Sequence, residues 1–139
     1  VFLDSATHTY IEELGGMNLF LVTDDGRLLT PELTGTILEG VTRSSILELA
    51  KGLGLEPEER RIEIEEWKDG VRDGSITEVF ACGTAAVVTP VGELRWEGGS
   101  APSTAGDEGG EVTRSIRAAL LDVQYGRAED THGWLTRLA

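Results

Sequence analysis

Leu19-Phe20-Leu21-Val22-Thr23-Asp24-Asp25-Gly26-Arg27-Leu28-Leu29 is the stretch that decides the fold. Two runs rich in β-favouring side chains flank an Asp-Asp-Gly turn signal, which predicts a hairpin of strands over residues 19–22 and 27–29, ended by Pro31. Downstream, Thr34-Gly35-Thr36-Ile37-Leu38-Glu39-Gly40-Val41-Thr42-Arg43-Ser44-Ser45 reads as a glycine-bearing loop running into a helix. Ile46, Leu47, Ala50 and Leu53 recur at helical spacing, so residues 43–53 form an amphipathic helix, capped by Thr42 or Ser44 and stopped by Gly54. Ile62 and Ile64 alternate with charged residues, as a half-buried strand does. Residues 66–73 suit a short polar helix closed by Gly74. Strands are expected over 76–81 and 85–88, meeting at Gly83-Thr84, and 91–96 continue the sheet. Residues 98–110, rich in Gly, Ser, Pro and acids, read as a mobile surface loop. Val112, Ile116, Ala119, Leu120 and Val123 mark a further helix stopped near Gly126, and 130–138 a last short one. Upstream, residues 1–3 and 10–14 are strand candidates. Strands and helices mix without strict βαβ alternation, and no repeat is visible. The expectation is one mixed α/β domain over residues 1–139.

Composition narrows the function. The 139 residues are 40% hydrophobic and 27% charged, the balance of a globular protein with one sizeable core. A net charge of −13 repels nucleic acid phosphates and anionic membranes, so neither is an expected partner. The apolar runs are too short to span a bilayer. The single cysteine, Cys82, allows no internal disulfide, and its surroundings suggest a small buried hydrophobe rather than a nucleophile. His8 and His132 lack the spacing of a local metal motif, so no metal is expected. The opening Val1-Phe2-Leu3-Asp4 reads like the interior of a longer protein, and a cytoplasmic compartment is the default expectation.

Three segments carry possible chemistry. Gly40-Val41-Thr42-Arg43 stands at a helix start, where free N–H groups and the helix dipole suit a phosphate, with the Thr42 hydroxyl as a further donor. The bland alternative is an ordinary N-cap. Gly83-Thr84-Ala85-Ala86 would let a ligand approach the backbone, with the Thr84 and Ala85 amides facing a carboxylate; the alternative is a tightly packed strand junction. In Glu12-Glu13-Leu14-Gly15-Gly16-Met17-Asn18, neighbouring glutamates on a strand point to opposite faces, so one can be buried against a cation such as a protonated pyridine nitrogen. Both are otherwise surface residues of an edge strand. The acidic run around 56–66 reads as a solvated face.

Together these segments resemble a known family. Tyr10-Ile11-Glu12-Glu13-Leu14-Gly15-Gly16-Met17-Asn18-Leu19-Phe20, the segment 33–43, Glu78-Val79-Phe80-Ala81-Cys82-Gly83-Thr84-Ala85-Ala86, Asp122-Val123-Gln124-Tyr125-Gly126 and Glu129-Asp130-Thr131-His132-Gly133-Trp134 resemble, in order, the motifs of branched-chain aminotransferases, fold-type IV enzymes dependent on pyridoxal phosphate. The resemblance implies a barrel-like, mixed-sheet large domain, the carboxy-terminal cofactor-binding part of such an enzyme. It implies that Glu13 pairs with the pyridine nitrogen, that Leu38 packs on the ring, and that Val41 and Thr42 hold the phosphate. It further implies that Thr84 and Ala85 hold the substrate carboxylate, Thr84 also reaching the phosphate, while Gly16 and Met17 line the side-chain pocket. The implied substrates are branched-chain amino acids with 2-oxoglutarate or glutamate, and the implied assembly is a homodimer.

The departures are equally informative. Such enzymes need a lysine for a Schiff base with the cofactor. Lys51 and Lys68 are the only two lysines, and neither has the family's context, which is expected upstream of Val1 in a missing amino-terminal part. The chain by itself is therefore expected to be inactive. A Cys-x-x-Cys redox pair found in some relatives reads here as Ala86 and Thr89. A D-amino acid aminotransferase, an aminodeoxychorismate lyase and a non-catalytic binding module are the alternatives.

Overall fold

A computed structural model describes residues 1–138. The predicted hairpin is present as β1 (Asn18–Thr23) and β2 (Arg27–Pro31), antiparallel with Leu21 opposite Leu29 and Gly26 taking the positive φ of the turn. After α1 (Val41–Gly52) the chain returns as β3 (Glu56–Arg60), parallel to β2. Leu53 and Gly54, the latter at φ 78°, close α1. Next come α2 (Ile64–Asp73), ended by Gly74 in the left-handed region, β4 (Ile76–Gly83) and β5 (Val87–Pro90). The five strands form one mixed sheet in the order β3-β2-β1-β4-β5. Then follow β6 (Glu93–Trp96), β7 (Gly99–Pro102) and α3 (Glu111–Gln124).

Both faces of the sheet are covered, which explains why β1 is apolar through its centre. Leu19 and Leu21 join Leu29, Val79, Ile62 and Trp67 of α2 on one face. Phe20 and Val22 join Leu28, Phe80, Cys82, and Ile46 and Ala50 of α1 with Ile116 and Leu120 of α3 on the other. Successive side chains of a strand point to opposite faces, so a central strand between two cores has no polar alternation. No described helix is long and apolar enough to cross a membrane.

Several expectations are corrected. The strand placed at Ile62 and Ile64 lies earlier, at β3. Ile62 is buried in a loop, its carbonyl accepting the Ile11 N–H at 2.8 Å, and Ile64 opens α2. Their alternation reported burial, not pleating. The acidic run is solvent-facing as expected, but its start is also an edge strand, in which Glu58 pairs with Arg27 and Glu59 with Arg43. Residues 93–96 do not continue the sheet but form a separate hairpin with β7, which lies within the expected mobile loop. Gly98 makes its turn at φ 90°, the Trp96 ring lies against Gly99, and Leu94 and Ala101 join the α2-side core. The tail 130–138 is not helical. The Asp130 carboxylate accepts the N–H groups of His132 and Leu135, bending the chain and leaving Leu135 and Leu138 exposed. Residues 1–3 and 10–14 run antiparallel, with Phe2 N–H donating to Glu13 O at 2.7 Å and Glu12 N–H to Phe2 O at 2.9 Å. They form isolated bridges rather than regular strands, and in the connection the Asp4 carboxylate accepts the amides of Thr7, Thr9 and Tyr10.

Candidate functional site

The site is built from one end of the sheet. Gly15 and Gly16, at φ 57° and 86°, form a two-residue turn with reciprocal hydrogen bonds between Leu14 and Met17 at 2.9 and 3.0 Å. Two consecutive positive φ values match a type I′ hairpin turn, which favours glycine or asparagine. The turn delivers Asn18 to the head of β1, where it pairs with Cys82 near the end of β4. This places the first segment beside the β4–β5 turn, and a Cβ on Gly83 would touch Met17 Cγ at 3.4 Å. The third segment arrives through Asn18 itself: its Nδ2 donates to Leu38 O at 2.8 Å, and a Cβ on Gly40 would collide with its Oδ1. The three segments singled out in the sequence thus meet around Asn18.

The start of α1 is open. Its N-cap is Gly40 at φ 71°, with no side-chain cap, which corrects the expectation that Thr42 or Ser44 caps it; Thr42 lies inside the first turn. The first helical bond runs from Ser44 N–H to Gly40 O at 3.0 Å. The amides of Val41, Thr42 and Arg43 therefore have no acceptor among the described residues, and the first turn holds no acidic side chain. The start of α3 shows the opposite state. There the buried Glu78 carboxylate accepts Val112 N–H (3.0 Å), Thr113 N–H (2.8 Å) and Thr113 Oγ1 (2.6 Å). One helix start carries its own anion and the other is free for one, as the dipole and unpaired amides require.

Around this end, Leu38 is 71% and Val41 87% exposed, apolar groups at the rim of the anion-ready amides. Thr84 and Ala85 lie on the turn, and their amides have no acceptor among the described residues. Val87, closing that turn, sits at φ 58°, an outlier for a β-branched residue and a sign of local strain. Glu12 is engaged by Thr36 Oγ1 at 2.6 Å, whereas half-buried Glu13 has no side-chain hydrogen-bond or ion-pair partner among the described residues.

The two lysines sit elsewhere. Lys51 pairs with Glu48 ten residues beyond Val41, roughly 15 Å along the helix. Lys68 pairs with Glu65 and lies over the Trp96 ring at 4.7 Å, beside Leu3 and His8. Cys82 is fully buried, and burial pushes its thiol up to about 12, so it is no nucleophile. Among the described residues no cluster of three or more His, Cys, Asp or Glu could hold a metal.

Sequence reasoning missed the parts played by Asn18, Arg43 and Glu78. Arg43 is only 2% exposed; its guanidinium donates to Pro31 O at 3.0 Å and Glu59 at 2.6 Å, tying α1 to two strands. The available signals were a polar residue heading an apolar strand and a glutamate inside one, both of which must be satisfied when buried.

A mixed sheet covered on both faces, with an open helix start and a free-amide turn at one end, defines an α/β domain suited to holding an anionic ligand on backbone amides. Residues 1–94 match the family described as amino-transferase class IV, and the chain belongs to it. It is 52% identical over 141 residues to the branched-chain-amino-acid aminotransferase of Mycobacterium tuberculosis (strain H37Rv) and 50% identical over 138 residues to the probable enzyme of that name from Streptomyces coelicolor. Both alignments cover 99% of this chain and 38% of the relative, so the chain spans under two-fifths of their length. A solved branched-chain amino acid aminotransferase from T.th. superposes with a TM-score of 0.81 at 35% identity, over 98% of this chain and 41% of that one. Structures of that protein carry pyridoxamine 5'-phosphate, N-(5'-phosphopyridoxyl)-L-glutamate or 4-methylvaleric acid.

Proposed function

We propose that residues 1–139 are the cofactor-binding domain of an aminotransferase that moves the amino group between branched-chain L-amino acids and 2-oxoglutarate, working in the cytoplasm as a homodimer with pyridoxal 5'-phosphate. The observation that carries this reading is the meeting of three segments around Asn18, with the amides of Val41, Thr42 and Arg43 free of any acceptor among the described residues. The T.th. relative's ligands are a phosphorylated pyridine, a phosphopyridoxyl group joined to L-glutamate, and a branched acid, which supports both halves of the assignment.

The residues present fit the cofactor. Free amides at the start of α1 suit a phosphate dianion, with the Thr42 hydroxyl beside them. Glu13, half-buried and without a side-chain partner among the described residues, suits a protonated ring nitrogen. When bound, pyridoxal phosphate supplies the electron sink for deprotonation at the amino acid's α-carbon. The chain's own residues orient and exclude. Val41 and Thr42 anchor the phosphate end, with Thr84 reaching it too, and Leu38 covers the ring. The amides of Thr84 and Ala85 hold the substrate carboxylate, and the turn at Gly16 and Met17 offers an apolar wall for Leu, Ile or Val side chains. Neither Lys51 nor Lys68 belongs to this end, so this chain supplies the binding floor without the lysine that carries the cofactor, and is inactive alone.

Titrating pyridoxal phosphate into the isotope-labelled chain tests the reading. The amide resonances of Val41, Thr42, Arg43, Thr84 and Ala85 should move together and saturably. Intact mass after borohydride reduction should show no stoichiometric adduct; a full label at Lys51 or Lys68 overturns the assignment.

A further inference from the structure

We infer that Asn18 is a positioning residue that sets the phosphate-holding turn before any ligand arrives; this rests on the cofactor-cradle reading above. Three observations carry it. The side chain belongs to a residue only 7% exposed at the head of β1, where a carboxamide persists only if its polar atoms are satisfied. Its Nδ2 donates to Leu38 O at 2.8 Å across 20 residues of sequence, the one side-chain hydrogen bond from the sheet to the segment 37–40 among the described residues. Its Oδ1 occupies the space that a Cβ on Gly40 would need. Gly40, at φ 71°, is the N-cap that aims the Val41, Thr42 and Arg43 amides outward.

Asn18 therefore performs two tasks with one carboxamide. The donor end fixes the carbonyl two residues before the cap. The acceptor end restricts the cap to glycine, which alone enters the left-handed region without strain. Because the Asn18 backbone also pairs with Cys82, the helix start is held in register with the turn bearing Thr84 and Ala85. The distance between phosphate and carboxylate positions is thus set by the sheet rather than by loop flexibility. Orientation fixed in advance lowers the ordering cost of binding.

The test compares Asn18→Ala and Asn18→Asp with the unmodified chain, using pyridoxal 5'-phosphate and pyridoxal, which lacks the phosphate, as probes. Asn18→Asp keeps the shape but replaces the donor with an acceptor facing Leu38 O. Both variants should weaken the phosphorylated probe by about tenfold or more while changing pyridoxal less than about threefold, since only the phosphate end is disordered. Amide hydrogen exchange without ligand should quicken at Ser44, whose N–H is the first bonded amide of α1, and stay unchanged at Leu21 and Val22 in mid-strand. Equal losses for both probes, or unchanged affinity and exchange, overturn the inference. If Asn18→Ala fails to fold, Asn18→Asp, which keeps the side chain's shape, carries the test by the same two probes and the same exchange readout. If the unmodified chain binds neither probe, the cradle reading fails, and unchanged exchange at Ser44 in the variants remains the result that rejects the role of Asn18.

Discussion

Glu78 shows how much a single buried carboxylate can hold. It lies inside β4 yet satisfies two amides and a hydroxyl at the start of α3. Glu78→Ala leaves those donors buried or half-buried without a partner and opens a cavity, so it should cost about 2–3 kcal/mol. Glu78→Gln, which keeps an acceptor but loses the charge, should cost roughly half as much. Urea denaturation of both variants checks the order, and equal costs would remove the charge from the explanation. At Cys82 burial raises the thiol well above its ordinary value, the nearby Arg43 guanidinium offsetting this only in part. The folded state then keeps its proton while the unfolded thiol ionises. The contribution is complete below the ordinary thiol range and is lost as pH climbs from there to about 12. Native protein at pH ~8 should resist iodoacetamide and react stoichiometrically once unfolded; rapid native alkylation would contradict the burial.

At the scale of elements, α2 and β4 meet at a point that sets propensity against packing. Gly70 lies inside α2, where alanine is intrinsically better by about 1 kcal/mol. A Cβ there would stand 2.6 to 3.2 Å from Cδ1, Cγ1 and Cβ of Ile76, however, and the last of these cannot swing away. Overpacking of this kind costs about 1–3 kcal/mol, so Gly70→Ala should be destabilising in a thermal melt. Adding Ile76→Val to Gly70→Ala should recover part of the loss. The elements legible beforehand were those with a strong local period: the β1–β2 hairpin, α1, α2, β4 and α3. Those misplaced were decided by neighbours. β3 is all charge except for Pro57, and becomes a strand because β2 offers a free edge and Arg27 and Arg43 supply partners. The β6–β7 hairpin exists because Trp96 closes over Gly99. The tail has helix-forming residues, but Asp130 takes up its amides in a bend instead.

Over the whole molecule, the two cores share β1 and β4, whose alternate residues face α2 on one side and α1 with α3 on the other. Neither core can melt while the other keeps its strands. Unfolding should therefore be a single transition, with tryptophan fluorescence and far-ultraviolet circular dichroism superimposable. Trp67→Ala, which empties the α2-side core, should cost about 3–5 kcal/mol and weaken both layers together. Separate transitions would show that the layers fold independently.

By itself the sequence determined the continuous apolar run that makes β1 a central strand, the glycines that permit its turns, the acidic surface, and the order of three motifs shared with one enzyme family. Which atoms satisfy the polar groups was decided only in three dimensions. Asn18 reaches Leu38 across 20 residues, Glu78 reaches Thr113 across 35, and Arg43 reaches Glu59 across 16. Periodicity reports which side of an element is buried. It carries no information about distant hydrogen-bond partners, because these depend on how layers stack once the chain has collapsed. The open start of α1 was legible as a possibility; that it stays uncapped while α3 is filled by Glu78 is a property of the packed molecule.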